Sequence, residues 1–196
     1  MSTASPDLRY KHLAYLDPPH IMNESVCAEF IRHLDQDGAL QCERPPDHIV
    51  AWIDDLNLPD GLARFMMQSW PQTDGSIAHI RINSSLSLYA HEVTGPLIEH
   101  QFINAGFAPN GDWFVIDFST ESCRPGFITL GEWTPWLDEP TDPRTYFVPI
   151  ARSFESFLYR AMERLYLPTD SYAASEFRAF LDQERKAEQD TGGNLG

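Results

Sequence analysis

Positive charge is what this chain has least of. Lys and Arg total 14 in 196 residues, against 29 Asp and Glu, for a formal net charge of −15. So acidic a surface repels nucleic acid, which is held by Lys and Arg displacing phosphate counterions, and it repels anionic membrane surfaces. It attracts a basic partner and speeds its arrival. The blander use of the same charge is solubility alone.

Long apolar runs are missing too. No stretch approaches the ~20 residues that span a bilayer, and MSTASPDLRYKHLAYLDPPH lacks the basic-then-apolar order of a secretory signal. Cysteine is scarce: Cys27, Cys42 and Cys123 are odd in number, scattered, and form no C-x-x-C pair. They read as reduced thiols of a cytoplasmic protein, not as a disulfide framework or a zinc site.

Catalytic signatures are absent as well. There is no G-x-S-x-G, no glycine-rich phosphate loop and no H-E-x-x-H. His12, His20, His33, His48, His79, His91 and His100 stand at no metal-ligand spacing with Cys or Asp, and His91-Glu92 reads as a solvated pair. Asp112 and Asp117 bracket a strand-like run. Five residues apart on a strand, they point to opposite faces, which argues against shared acid–base work. Asp112 is better read as bracing the Asn110-Gly111 turn and Asp117 as lying at the strand's end. No catalytic residue, metal or cofactor is expected.

What is present is a globular pattern. Hydrophobic residues make up 42% of the chain, enough for a sizeable core. Residues 1–20 read as a loose arm. Asn23 caps a helix over 24–36 with Val26, Phe30 and Leu34 on one stripe. Asp47 caps a second helix with Ile49, Trp52, Ile53 and Leu56 inward, and Leu58-Pro59 opens a third with Leu62, Phe65, Met66 and Trp70. Strands are expected over 77–82, 86–89, 113–118, 127–130 and 148–150, separated by Gly95-Pro96, Pro109-Asn110-Gly111 and Arg124-Pro125-Gly126. The alternation over 113–118 predicts one buried and one mixed face. Ser153 caps a helix with Phe154, Phe157, Leu158 and Met162 inward and Glu155 outward, and a last helix covers 175–186 ahead of a frayed tail. Short connections favour an antiparallel sheet. The chain divides into an arm and helix (1–45), an α+β domain (46–163), and a C-terminal helix with tail (164–196).

Two groups invite partner contact. Trp52, Trp70 and Trp113 fall in apolar periodic stretches and read as core, whereas Trp133 and Trp136 fall in a loop and read as exposed contacts, with packing over the sheet edge as the competing reading. Asp138, Glu139 and Asp142 make an acidic loop able to dock Lys and Arg of a partner, although such a run usually reads as a solvated surface, and Glu121 is a further candidate contact.

The order of several pieces resembles a family. Leu58-Pro59-Asp60-Gly61-Leu62-Ala63-Arg64-Phe65 is followed by Pro109-Asn110-Gly111-Asp112 ahead of a strand, then by Gly126-Phe127-Ile128, then by Ser153-Phe154-Glu155-Ser156-Phe157-Leu158. Over residues 46–163 this is similar to the SUKH superfamily, which includes the Smi/Knr cell-wall regulators and many bacterial immunity proteins. Trp70 to Gly75 departs from the N-G-G-like turn usual there. The resemblance implies an α+β fold: a curved, mostly antiparallel sheet with helices packed mainly on one side. It implies structural roles for Leu58, Pro59, Phe65, Asn110, Gly111, Asp112, Phe154 and Phe157. It further implies a non-enzymatic immunity protein that binds a basic toxin domain of nuclease or deaminase type, with a Smi/Knr-like regulatory scaffold as the alternative. A small enzyme gathering Asp112, His91 and His100 in one pocket is the third class.

Overall fold

A computed structural model describes residues 8–15, 20–35, 38–91, 94–129, 131–133 and 142–192. The side chain of Asn23 accepts from the amides of Ser25 and Val26 and so starts α1 (Glu24–Leu34), whose buried stripe is Cys27, Phe30 and Ile31. Two proline-led helices follow, α2 (Asp47–Asp55) and α3 (Asp60–Ser69); Asp47 is the first residue of α2, not the cap expected from the sequence, and Pro46 and Pro59 stand at the N-caps. Proline fits there because the first helical amides lack partners within the helix.

The sheet is a six-strand antiparallel meander in chain order: β1 (Gly75–Ile77), β2 (Ile80–Ile82), β3 (Phe102–Phe107), β4 (Trp113–Asp117), β5 (Arg124–Ile128) and β6 (Phe147–Pro149). It carries the predicted α+β class, with its main helices on one face. That face buries Ile103, Phe114, Ile116 and Phe127 in one cluster with Phe30, Phe65, Phe154 and Phe157. α6 (Phe154–Met162) supplies the last two, started by the Ser153 hydroxyl, which accepts from the Ser156 amide. Phe154 links the helices: its ring lies 5.6 Å from Phe65, 6.1 Å from Trp70 and 5.9 Å from Phe157.

The opposite face is also covered. Phe102, Trp113, Val115 and Ile128 pack with Trp133 and with Leu97 of the short α5 (Thr94–Glu99). The expected mixed face of β4 is therefore wrong, and all five of its residues are buried. For Trp133 the packing reading holds, not the exposed contact. It is only 1% exposed and meets Trp113 edge-on at 5.3 Å, because this second cluster needs a lid.

Other expectations change. Residues 86–89 lie in a helix, α4 (Ser85–Ala90), since the Ser84 hydroxyl caps it by accepting from the Ser87 amide. Within the expected arm, Leu8–Tyr15 is docked, not loose: it forms a 3-10 helix that buries Leu13 and Ala14 against the core, and Tyr10 donates to Glu29 at 2.8 Å. The last helix, α7 (Ser171–Gly192), is longer than expected. Its first amide, Ser171, donates to the buried Asp112 carboxylate at 3.0 Å. Asp112 also accepts from Asn110, so it braces the turn as expected and anchors α7 as well. Gly111 takes a φ of 95°, the region open to glycine that this turn requires. Among the described residues no helix is long and apolar enough to cross a membrane.

Candidate functional site

At the Pro59 end of α3 the surface opens into a cleft of about 630 Å³, lined by Ile21, Asn57, Leu58, Pro59, Asp60, Arg64, Gln101, Phe118 and Glu121. Three segments distant in sequence meet here. The α2–α3 turn gives Asn57 to Asp60. The turn into β3 gives Gln101, and the β4–β5 connection gives Phe118 and Glu121.

Backbone geometry shapes the walls. Asn57 and Gln101 hold left-handed φ values of 52° and 63°. Asn tolerates that region, whereas Gln seldom occupies it. Gln101 is held there from both sides, its amide donating to the Ile98 carbonyl at 2.8 Å and its carbonyl accepting from the Phe118 amide at 2.9 Å. Non-glycine residues in strained backbone cluster where sites are built.

The fourth wall is Ile21, which leaves 69% of its surface in solvent although it is a large apolar residue. Its neighbours are tied down. The Met22 amide donates to the Glu121 carbonyl at 2.8 Å. The Asn23 amide donates to Glu155 Oε1, and Glu155 Oε2 lies 2.9 Å from His20 Nε2. Glu155 is thus 1% exposed on α6, not outward as its sequence neighbours implied, because it satisfies the backbone that carries Ile21.

Beside the cleft lies a buried carboxylate. Asp117 bonds Arg124 at 2.9 Å, Arg144 at 3.2 Å and the Ser119 hydroxyl at 2.6 Å. Burial alone would raise its pKa, but the Ser119 hydroxyl and amide, Arg124 and Arg144 together hold it below the usual carboxylate value. Arg144 also donates to the His100 carbonyl at 2.7 Å and lies over the Phe102 ring at 4.9 Å. It thereby fastens the 3-10 helix Pro143–Tyr146 to the residues just ahead of β3.

The predicted partner residues separate. Glu121 lines the cleft together with the motif residues Leu58 and Pro59. Asp142 accepts from the Arg144 amide at 2.9 Å and lies 3.7 Å from His100 Nδ1, next to the cleft residue Gln101. Trp136, Asp138 and Glu139 lie outside the described residues. Phe65, Phe154 and Phe157 are core, and Asn110, Gly111 and Asp112 form the far turn. Ile21, Asp60 and Gln101 went unnoticed in the sequence. The Asn57-Leu58-Pro59 turn was the available signal for Asp60, while Ile21 and Gln101 carry none.

Asp112, His91 and His100 have separate partners. Asp112 takes Ser171 and Asn110, His91 lies 5.7 Å from the Phe107 ring, and His100 faces Asp142. Among the described residues no group of three His, Cys, Asp or Glu is placed to hold a metal ion. The cleft's lining offers two carboxylates, one guanidinium, two amides and an exposed isoleucine, which are groups for recognising another molecule by charge and apolar contact.

Comparison with family models, with curated proteins and with solved structures gives no match in any of the three. The SUKH resemblance accordingly rests on the motif residues alone.

Proposed function

We propose that this protein is a binding module that captures a basic protein partner at the Ile21–Pro59–Glu121 cleft. The observation that carries the reading is the cleft itself: a strongly exposed isoleucine shares its lining with the carboxylates of Asp60 and Glu121, while the one guanidinium there, Arg64, is paired with Glu24 at 3.5 Å, on a chain of net charge −15. An apolar anchor in one cleft with two carboxylates suits an interface whose core excludes water while its charges steer the partner. The SUKH resemblance supports a finer reading in the same direction: an immunity protein that neutralises a nuclease or deaminase toxin, acting in the cytoplasm. A nucleic-acid-cleaving domain presents a basic cleft, which an acidic inhibitor can occupy. The acidic loop with Asp138, Glu139 and Asp142 would extend the contact.

The test is capture of partners at low and high salt, comparing the wild type with Asp60→Lys/Glu121→Lys and with Asp138→Lys/Glu139→Lys/Asp142→Lys. A basic, toxic partner that is released as salt rises and lost in the first variant supports the reading. Retention by the second variant removes the loop from the interface. A non-toxic partner held at high salt points to a Smi/Knr-like scaffold instead.

A further inference from the structure

A second surface, away from the cleft, carries aromatic rings that the core does not use. Tyr166, Phe177 and Phe180 form a row: Tyr166 and Phe177 are 4.9 Å apart, and Phe177 and Phe180 are 5.4 Å apart and nearly stacked. Phe177 is buried, with the Arg160 guanidinium 5.1 Å over its ring. Arg160 is itself buried and donates to the Tyr166 carbonyl at 3.1 Å, so it fixes this row instead of facing solvent. Tyr166 and Phe180 nevertheless leave 56% and 45% of their surfaces in water. Together with Ala173 and Glu176 the three rings line a groove of about 290 Å³ along α7. Leu165, next to Tyr166 in the chain, and Tyr172, next to Ala173, are exposed as well. Clustered large apolar side chains on a soluble surface mark a contact site.

We infer that this groove binds an amphipathic helix of a protein partner, apolar on one face and basic on the other. Phe177 and Phe180 stand at i and i+3 along α7, the spacing at which a helix laid beside α7 would meet successive anchors. The choice of a basic helix follows from charge. Glu176 stands on the groove, whereas Arg178 falls about 140° around the helix from Ala173, on the far side. A second copy of this chain would bring another net charge of −15 to the same place.

The probe is a synthetic helix with leucines on one face and lysines on the other, and its control carries glutamates in place of the lysines. Titrated by fluorescence anisotropy, the basic peptide binds saturably and the acidic one does not. Phe180→Ser weakens binding about tenfold, the loss of one interface anchor, and Glu176→Lys weakens it as well. Asp60→Lys/Glu121→Lys leaves it unchanged, so failure here is separate from failure at the cleft. Thermal melting of Phe180→Ser verifies folding, which the side chain's exposure favours. Equal binding of both peptides, no binding, or indifference to Phe180→Ser overturns the proposal. So does a self-associated dimer in sedimentation that Phe180→Ser dissociates, because a second copy would then fill the groove.

Discussion

The carbonyl oxygen of Met22 occupies the space where a β-carbon on Gly61 would stand. A glycine inside a helix costs about 1 kcal/mol relative to alanine, so its presence in α3 answers to this contact. The close approach lets the Ile21–Met22 segment lie against the start of α3 and form the cleft wall. Gly61→Ala should therefore destabilise the fold despite the better helix propensity, by about 1–2 kcal/mol net of overpacking. Thermal melting checks it: the expected loss is a few degrees, and a rise in melting temperature would contradict the contact.

Glu155 holds the same segment from the other side. Glu155→Ala leaves the Asn23 amide and His20 without their acceptor and should cost about 2 kcal/mol. Glu155→Gln keeps one acceptor oxygen and should cost less. Hydrogen exchange of the Asn23 amide separates the two, rising strongly in the alanine variant and modestly in the glutamine variant.

Acid should find the Asp117 cluster. Its folded pKa is lowered, and the unfolded value is near 3.9. The stability it contributes is therefore fully present above the unfolded value and is lost as pH falls through the folded one. Urea unfolding from neutral pH downward should show stability falling below about pH 4. Asp117→Asn should be less stable at neutral pH, with Arg124 and Arg144 left short of their partner, and should lose less on acidification.

The thiols should be silent in the folded protein. Burial pushes Cys123 and half-buried Cys42 up to about 12 and raises Cys27 well above the ordinary thiol value. Only thiolate reacts readily. A disulfide reagent at neutral pH should modify none of the three quickly in the native state and all three in denaturant.

Much of the frame was legible because local chemistry and tertiary packing agree there. Asn23, Pro59 and Ser153 mark helix starts by the amides they cap or the first turn they suit, and Phe65, Phe154 and Phe157 keep helical spacing toward one core. Misreadings fall where packing overrides pattern. Ser85 to Tyr89 alternates like a strand, yet a serine cap turns it into a helix. Phe102 to Phe107 hides as a strand because both faces are buried and a bulge at Ala105 interrupts the register. Glu155 looks exposed by composition, and only the tertiary fold shows the amide it serves. The cleft drew on this last kind of information. Its motif half, Leu58 to Asp60, is a sequence feature, whereas Ile21 and Gln101 arrive there through long-range contacts.

The meander also sets an order of assembly. Each strand pairs with the one made just before it, so β1 to β6 can zip together in order as the chain emerges from synthesis, the long closures being those that lead into β3 and β6. The N-terminal 3-10 helix and α1 must wait, because both pack on α6. The cleft wall at Ile21 depends on Glu155 of that same helix. A nascent chain halted before residue 155 thus holds most of a sheet and no finished cleft, and the wall at Ile21 is completed only as α6 closes over the N-terminal segment.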